Sequence, residues 1–294
     1  MLKSSRTNDS RPRIAVAGAT GRVGSALIAS LVSEPLELVA LTRNPDAQRV
    51  PSGVSLAVVD FDVPSSLEDA LRGADRLFLA HGTSPRQVDN EIALIDAAVD
   101  AGVGHIVKLS AMGPPSRLHP MDWHMQIEAH LATLDIGYTV LRPSTFVDIL
   151  ARAGAQVADN SWGGAAGEGL VNLIDTRDVA DVARAALLDD AHPTAQRAYH
   201  LTGPRAVSMP EIAEEISKLL GRTVTYQQRS AAEQREKLLA SGLNKFVADL
   251  LVGLDRLFHD SALAETTSTV ENLTGHAPRS AAGWLSENIS KFRK

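Results

Sequence analysis

The sequence predicts an α/β fold, a doubly wound parallel sheet with a smaller, mostly helical lobe in the C-terminal half. Three features indicate this fold. Short apolar runs alternate with segments of helical periodicity through the first half of the chain. A glycine-rich turn joins the first apolar run to the first helical segment. Polar residues and glycines follow several of the runs directly, and parallel strands bring such residues together at one edge of a sheet.

Six apolar runs are predicted to form the parallel strands, because each is short and bounded by turn residues. They span residues 14–17, 36–42, 54–60, 76–80, 105–110 and 138–142. Helices are expected between them, one beginning at Ser65 and another over residues 86–101. Four apolar side chains of the latter helix are expected to lie near one face: Val88, Ile92, Ile95 and Val99.

The turn Gly18-Ala-Thr-Gly-Arg-Val-Gly24 follows the first strand and opens the first helix. Glycines at these positions let the backbone approach a pyrophosphate, and the helix N-terminus favours the negative charge. The turn therefore predicts a Rossmann-type dinucleotide site. The alternative is an ordinary strand-to-helix turn without a ligand. The cofactor-binding candidates here are Gly18, Thr20, Gly21, Arg22, Val23 and Gly24.

The regular alternation weakens beyond residue 150. Strands are predicted at 170–174 and 198–201, a β-like segment at 223–226, and helices at 178–188, 209–220, 230–260 and 280–292. The glycine-rich segment 160–169 is expected to be a loop over the cleft. We expect an NAD(P)-binding domain over residues 13–155 and a substrate-side lobe over 156–294, from which 170–203 return to the first core.

Composition excludes several classes of protein. The 294 residues carry a net charge of −6, so there is no basic excess that would favour nucleic acid. There are no cysteines, which excludes disulfides, thiolate nucleophiles and cysteine-ligated metals. No apolar stretch is long enough for a membrane span, and the polar residues 1–12 lack the apolar core of a signal peptide. A cytoplasmic protein is expected.

Arg43 follows the second strand, where this fold meets the adenosine ribose. An acidic residue there would favour NAD, whereas an arginine accommodates the 2′-phosphate of NADP. Arg43 has no acid beside it, so the sequence favours NADP(H); the alternative is a solvated surface arginine. Asp60 and Phe61 follow the third strand. Asp60 is read either as an acceptor for the adenine amino group or as a turn or capping acid.

Residues at the ends of the fourth, fifth and sixth strands complete the predicted cofactor site. They are Ala80, His81, Gly82, Leu109, Ser110, Pro143, Ser144 and Phe146. We expect His81 to approach the cofactor through its backbone, and Phe146 to be a wall beside the nicotinamide. Lys108 shares the strand face of Ser110, so it could reach the cleft; the favoured alternative is a lysine whose head emerges at the end of the sheet.

No metal site is predicted. Asp175 and Asp178 form a carboxylate pair, but no third ligand stands at a suitable spacing, and Asp178 suits the start of a helix. Trp123 and Trp162 are read either as apolar walls of a flat substrate pocket or as packing residues. The loop 113–123, which is rich in proline and methionine, is expected to shape the entrance.

Five motifs are spread over the chain: Gly18-Ala-Thr-Gly-Arg-Val-Gly24, Leu41-Thr-Arg-Asn-Pro45, Leu141-Arg-Pro143, Asp175-Thr-Arg-Asp178-Val-Ala180 and Leu201-Thr-Gly-Pro204. Together they resemble the atypical short-chain dehydrogenase/reductases, and within them the NmrA-like group that includes the type 2 quinone oxidoreductases. The likeness extends over nearly the whole chain. The resemblance implies a fold that binds NADP(H).

Typical members of this family use a tyrosine as proton donor and a lysine four residues later. Glu128 and Leu131 resemble the glutamate and leucine that follow this pair, which puts His124 at the lysine position and Pro120 at the tyrosine position. The pair is therefore absent, and the His-x-x-x-Glu-x-x-Leu pattern is similar to the quinone-reductase branch. The resemblance makes His124 and Ser110 the catalytic candidates. The alternative for His124 is a structural hydrogen bond on a helix.

Two hypotheses for function follow. Hydride addition to a ketone leaves an alkoxide that needs a well-placed acid, whereas a quinone gives a hydroquinone anion whose charge is delocalised. The resemblance therefore favours an NADPH-dependent oxidoreductase that acts on a flat conjugated carbonyl or quinone-like molecule, and a homodimer is compatible with it. The alternative is a non-catalytic NADP(H) sensor with a protein partner. An isomerase on the same scaffold is a third reading, because fold does not fix chemistry.

Overall fold

The computed structural model describes residues 11–44, 50–113 and 120–293. These residues form two compact units that are interleaved along the chain. The first unit contains the described residues up to Leu109, together with Gln126–Leu141 and Ala180–Ala198. The second contains those between Ser110 and Met125, Arg142–Val179, and the chain from Tyr199 onward.

A seven-stranded sheet is the centre of the fold. Its strands, numbered in chain order, are β1 (Arg13–Ala17), β2 (Glu37–Thr42), β3 (Ser55–Val58), β4 (Arg76–Leu79), β5 (His105–Leu109), β6 (Gly137–Pro143) and β10 (Gln196–Leu201). They lie in the order β10-β6-β5-β4-β1-β2-β3, and neighbours from β6 to β3 pair in parallel. The order reverses between β1 and β4, so the predicted doubly wound sheet is confirmed, with its switch point there.

The helices that connect these strands are α1 (Arg22–Leu31), α2 (Pro64–Leu71), α3 (Gln87–Asp100), α4 (Met121–Leu131) and α6 (Thr176–Leu187). The core of the first unit packs apolar side chains of the strands, such as Leu77 and Ile106, against those of the helices, such as Leu71 and Leu94. This core fixes the strand ends on which the predicted cofactor residues lie.

The four apolar side chains of α3 that are expected near one face differ in burial. Ile95 is buried, Val88 and Ile92 are half-buried, and Val99 is 36% exposed. The buried positions of this helix are Gln87, Asn90, Glu91, Leu94, Ile95, Ala97 and Ala98. The first turns of this buried stripe are polar, so apolar periodicity alone does not reveal it.

The second unit contains two smaller sheets. β7 (Thr145–Phe146), β9 (Leu170–Ile174) and β11 (Ala206–Ser208) form one, and β8 (Gly163–Gly164) pairs with β12 (Gln227–Gln228) in the other. The strand predicted at 170–174 is therefore confirmed. The β-like segment predicted at 223–226 is wrong, because the pairing residues lie just after it. β8 lies inside the glycine-rich segment that was predicted to be a loop.

Helices fill the rest of the second unit. They are α5 (Gly154–Ala158), α7 (Met209–Leu220), α8 (Ala231–Ala240), α9 (Lys245–His259), α10 (Thr269–Thr274) and α11 (Ala281–Asn288), with 3₁₀ turns at Val147–Ala153 and Ile289–Phe292. α7 has the predicted bounds because both of its ends are capped. Ser208 and Glu211 form a reciprocal capping box at its start, and Gly221 adopts φ +67° at its end.

The compact units differ from the expected boundary near residue 155. Of the segment 170–203, only Ala180–Ala198 belongs to the first unit. β9 belongs to the second unit because it pairs with β7 and β11 outside the large sheet. Within the described ranges, none of the helices combines the length and the apolar character that crossing a membrane requires.

Candidate cofactor and active site

The glycine turn closes tightly on the end of β4. Gly18 adopts φ +75°, and a Cβ there would lie 2.7 Å from the carbonyl oxygen of Ala80. A Cβ on Gly24 would overlap the carbonyl oxygen of Gly18. The Gly21 N–H donates to that same oxygen at 2.9 Å. The first and third glycines are therefore required by close backbone approach, as the spacing predicts.

The N-terminus of α1 follows the turn directly. Gly21 is the N-cap residue in an extended conformation, and it has no side chain with which to cap the helix. The first N–H groups of a helix have no intrahelical acceptors, so those of Arg22, Val23 and Gly24 are suited to an anion. A pyrophosphate group fits this end of the helix in charge and in hydrogen bonding.

A pocket of about 360 Å³ lies at the carboxyl ends of β1, β2 and β4, within the first unit. It is large enough for part of a dinucleotide, since ligand pockets commonly measure about 300–1,000 Å³. The predicted cofactor residues that line it are Gly18, Thr20, Gly21, Arg43, Phe61, Ala80, His81 and Gly82. Their convergence supports the cofactor site, and the role of each stays a prediction.

Arg43 lies exposed at the end of β2 and lines this pocket. Thr42 fixes the turn beside it, because its hydroxyl donates to the carbonyl oxygen of Asn44 at 3.1 Å and accepts the Asn44 N–H at 3.0 Å. The arginine is thus positioned at the pocket by its neighbour. Pro45, the last residue of its motif, lies outside the described residues.

Asp60 makes the contacts of a turn acid. Its Oδ1 accepts the N–H of Asp62 at 2.9 Å, and its carbonyl oxygen accepts the hydroxyl of Ser66 at 2.9 Å. Asp62 in turn binds Arg86 at 2.7 Å, and this hydrogen bond and charge lower the pKa of Asp62. Asp60 is not among the residues that line the pocket. Its adenine role stays a prediction, whereas these hydrogen bonds favour the interpretation of Asp60 as a turn acid.

His81 uses both ring nitrogens within the protein. Its Nε2 lies 3.0 Å from Nδ2 of Asn90, which is a donor, so we assign Nε2 as the acceptor. Nδ1 then carries the hydrogen and donates to the carbonyl oxygen of Gly82 at 2.6 Å. The ring also packs edge-on against Phe61, with centroids 5.9 Å apart. This arrangement supports the expectation that His81 offers the pocket its backbone.

A buried ion pair belongs to the wall of the pocket. Lys108 Nζ lies 2.8 Å from Glu91 Oε2, and both side chains are 0% exposed. Gln87 Nε2 donates to Glu91 Oε1 at 2.9 Å, and Lys108 Nζ donates to the carbonyl oxygen of Leu109. The expectation that the Lys108 head emerges at the end of the sheet is wrong, because Glu91 holds it inside.

Glu91 was missed at the sequence level, although it lines the pocket. Gln87, Asn90 and Glu91 are spaced as i, i+3 and i+4, so they continue the stripe of Leu94 and Ala98 toward the start of α3. The sequence did contain one signal for a buried acid. Lys108 lies within the buried strand β5, and a buried lysine requires a partner of opposite charge.

The remaining predicted site residues, apart from Leu109, lie in the second unit. Ser110 is buried, and the carbonyl oxygen of Pro143 accepts the Met112 N–H at 2.8 Å. The Ser144 hydroxyl donates to the carbonyl oxygen of Asn172 at 2.9 Å. Phe146 pairs with Ile174 between β7 and β9.

His124, the other catalytic candidate, is half-buried on α4, and its N–H donates to the carbonyl oxygen of Pro120 at 3.0 Å. The neighbouring Trp123 stacks on Phe246 with ring centroids 6.2 Å apart. Trp162 packs edge-on against Tyr226 at 5.2 Å. Residues 114–119 of the expected entrance loop, with Pro114 and Pro115, lie outside the described residues.

The carboxylate pair of the second unit is held by arginines. Asp175 binds Arg177 at 2.7 Å; burial alone would raise the pKa of Asp175, but the hydrogen bonds and charge of Arg177 outweigh it and lower this pKa. Asp178 accepts the backbone N–H of Arg279 at 2.8 Å and also binds its guanidinium, while burial raises the pKa of Asp178. Each of the two acids therefore has an arginine partner.

The parallel sheet, its switch point and the glycine turn define a dinucleotide-binding α/β protein. The chain matches the NAD(P)H-binding family model over residues 18–190 and belongs to that family. The resemblance to the type 2 quinone oxidoreductase-like group is confirmed by the relatives that follow.

An NAD(P)H azoreductase from Xenophilus azovorans is 31% identical over 95% of this chain and 99% of its own length. Quinone oxidoreductase 2 from Escherichia coli (strain K12) is 31% identical over 94% of this chain and 97% of its own length. A crystal structure of the Escherichia coli NADPH-dependent quinone oxidoreductase complexed with NADPH superposes with a TM-score of 0.85. That match is 28% identical and covers 94% of this chain and 98% of the other.

Proposed function

We propose that this protein is an NADPH-dependent oxidoreductase that transfers hydride to a conjugated carbonyl or quinone-like small molecule. The observation that carries the proposal is the glycine turn, which closes on Ala80 beside a pocket that Arg43 also lines. Relatives that cover nearly the whole chain are named as reductases of azo compounds and quinones, which supports the same chemistry. The experiment is NADPH oxidation measured with quinones, enones and ketones.

The residues of the first unit bind and orient the cofactor. The first N–H groups of α1 hold the pyrophosphate, because the helix terminus supplies donors and a favourable dipole. Arg43 contacts the 2′-phosphate, and the hydrogen bonds of His81 hold the backbone of residues 80–82 toward the pocket. NADPH, when bound, supplies the hydride.

The acceptor end is assigned to the catalytic candidates that the sequence resemblance gives. A hydroquinone anion spreads its charge over the ring, so its formation requires less help from a protein acid than an alkoxide does. This fits a chain that lacks the tyrosine–lysine pair. His124 is proposed as the proton donor, since imidazole exchanges protons near neutral pH. Ser110 is proposed as the hydrogen-bond partner of the reacting oxygen, and Phe146 as a wall beside the nicotinamide.

Arg43→Ala is expected to weaken NADPH binding by about 10- to 100-fold, because a hydrogen bond to a charged group contributes about 1.5–3 kcal/mol. NADH, which has no 2′-phosphate, should bind the variant as it binds the wild type. Calorimetric titration with both cofactors measures the two affinities. Arg72→Ala removes an exposed arginine paired with Asp69 and is the matched control. Equal losses for NADH and NADPH would contradict the role of Arg43.

His124→Ala is expected to lower kcat by about 100-fold with a quinone, the lower end of the range for general acids, while the NADPH Kd stays unchanged. The small factor follows from the delocalised charge of the product. Steady-state kinetics and calorimetry together measure both quantities. His130→Ala, on the same helix and paired with Asp96, is the control. An unchanged kcat would contradict the role of His124 as a proton donor and favour the alternative of a structural hydrogen bond.

The sensor hypothesis gives a different result in the same assays. A sensor would bind NADPH and NADP⁺ with comparable affinity and oxidise NADPH with none of the acceptors. That combination would contradict the proposed enzyme, whereas steady turnover with a quinone would exclude a purely sensing role.

Three finer points belong to the same proposal. The acceptor is flat and conjugated, so naphthoquinone should be reduced much faster than a saturated ketone of similar size. The chain forms a homodimer, which light scattering on the eluting peak measures. The protein is cytoplasmic, which fractionation of cells that express it can test.

A further inference from the structure

A second cavity, of about 110 Å³, lies wholly within the second unit and opens partly to solvent. Its apolar wall includes Trp162, Met209 and Phe258, each less than 10% exposed. A cavity of about 150 Å³ lined by apolar side chains binds benzene, so this one has the scale of a single ring whose substituent reaches the opening.

One carboxyl group interrupts the apolar wall. Leu251, Leu254, Asp255 and Phe258 follow one face of α9 at helical spacing, and all four line the cavity. An acid at the third of these positions is costly, because a buried charge is unfavourable unless it is paired. The sequence analysis predicts helix over residues 230–260 and does not single out Asp255.

Asp255 has one hydrogen-bond donor and, among the residues that the structure describes, no cation in direct contact. Its Oδ2 accepts the Ala165 N–H at 2.9 Å. In the described part of the chain, none of the salt bridges within 4.0 Å involves Asp255. Burial is the main influence on this carboxyl, and it raises the pKa of Asp255. The Asp255 side chain is half-buried, and the hydrogen bond from Ala165 and the charge of Arg229 oppose this rise.

Arg229 is the buried cation of this region, but its hydrogen bonds go elsewhere. Its Nη1 donates to the carbonyl oxygen of Gly163 at 3.0 Å and to Gln234 Oε1 at 2.9 Å, and its Nη2 donates to the carbonyl oxygen of Ser161 at 2.6 Å. Arg152 also lines the cavity but is exposed, so water screens its charge. Among the described residues, Arg229 therefore acts on Asp255 only through its charge, which lowers the pKa of Asp255, and makes no direct contact with it.

A tyrosine hydroxyl lies near the same acid. Tyr226 Oη accepts the Ala166 N–H at 3.3 Å. A Cβ on Gly164 would overlap this oxygen and lie 3.0 Å from Asp255 Oδ2, so both groups flank the same glycine. The Tyr226 ring packs edge-on against Trp162. The cavity thus combines aromatic walls with two oxygen atoms close together.

We propose that this cavity binds a small aromatic molecule that carries a protonated amine. The ring lies among the apolar walls, and the ammonium forms a direct ion pair with Asp255, which Arg229 influences only through its charge. Two sources share this chemistry. The molecule is either an electron acceptor that carries an arylalkylamine or a ligand that is not reduced.

Calorimetric titration without cofactor tests the proposal with benzylamine, its neutral analogue benzyl alcohol and its anionic analogue benzoate. Benzylamine should bind the wild type most tightly, and Asp255→Asn should weaken it at least tenfold while benzyl alcohol binding stays unchanged. Asp249→Asn, an exposed acid on the same helix, is the matched control. Equal benzylamine affinity in wild type and Asp255→Asn, or a preference for benzoate, would overturn the proposal.

A second measurement uses the wild type alone, so its result does not depend on whether the Asp255→Asn variant folds. Benzylamine should shift the NMR signals of the Trp162 indole and of the Gly163 and Gly164 amides, and leave those of the glycine turn unchanged. If none of these three cavity signals shifts, the proposed binding site is wrong. Inhibition of quinone reduction then separates the sources: competition with the quinone indicates an acceptor site, and non-competitive inhibition or none indicates a separate ligand. None of the binding results depends on NADPH turnover.

Discussion

Gly24→Ala is expected to reduce NADPH affinity by about 100-fold or more. The added Cβ would overlap the carbonyl oxygen of Gly18, and that atom is backbone, so the turn itself must shift. A shift moves the first N–H groups of α1 away from the pyrophosphate, and two lost charge-assisted hydrogen bonds contribute about 1.5–3 kcal/mol each. Calorimetric titration with NADPH measures the loss.

The control for this variant is Gly104→Ala in the same unit. A Cβ there would meet the carbonyl oxygen of Asp75 at 3.5 Å, which is an ordinary contact. It should bind NADPH as the wild type does. The melting temperature of Gly24→Ala should also fall, because overpacking costs about 1–3 kcal/mol. Wild-type affinity in Gly24→Ala would contradict the site.

Lys108→Met is expected to destabilise the fold by about 3–5 kcal/mol, because it leaves the Glu91 carboxylate buried without its cation. The double variant Lys108→Met with Glu91→Leu should recover most of this loss. Replacing both partners of a buried pair by apolar residues is often neutral or stabilising. Urea unfolding of both variants measures the free energies.

The same pair gives an expectation for the cofactor. Glu91 lines the pocket, so the single variant places an uncompensated acid in the wall of a site for a polyanionic ligand. NADPH should bind this variant more weakly than it binds the double variant. If the two variants are equally unstable and bind NADPH equally, the ion pair has no part in shaping the pocket electrostatics.

Short-range signals made the glycine turn and much of the lining of the larger pocket predictable. The glycine spacing, the strand that precedes it and Arg43 at the end of β2 are all local in sequence. Parallel pairing then brings strand ends together, as β1 and β4 bring Gly18 to Ala80. Each step needs only neighbouring residues and the general topology of the fold.

Polar residues that depend on distant partners were not predictable in the same way. Glu91 is buried because Lys108 lies on another element, and Asp255 is in contact with the backbone of Ala165. Helical periodicity classifies a residue by its own polarity alone, so it gives no indication that these two acids are removed from solvent. Lys108 itself was expected to reach the end of the sheet for the same reason.

The late strand β10 has a consequence for the integrity of the large sheet. The Tyr138 N–H donates to the carbonyl oxygen of Ala195 at 2.9 Å, and His105 Nδ1 lies 2.9 Å from that of Pro193, so residues 193–198 cover the flank of β6. A protein cut after residue 155 would leave the β6 backbone unpaired there. Open strand edges recruit strands from other molecules. The last third of the chain therefore also protects the nucleotide-binding sheet from self-association.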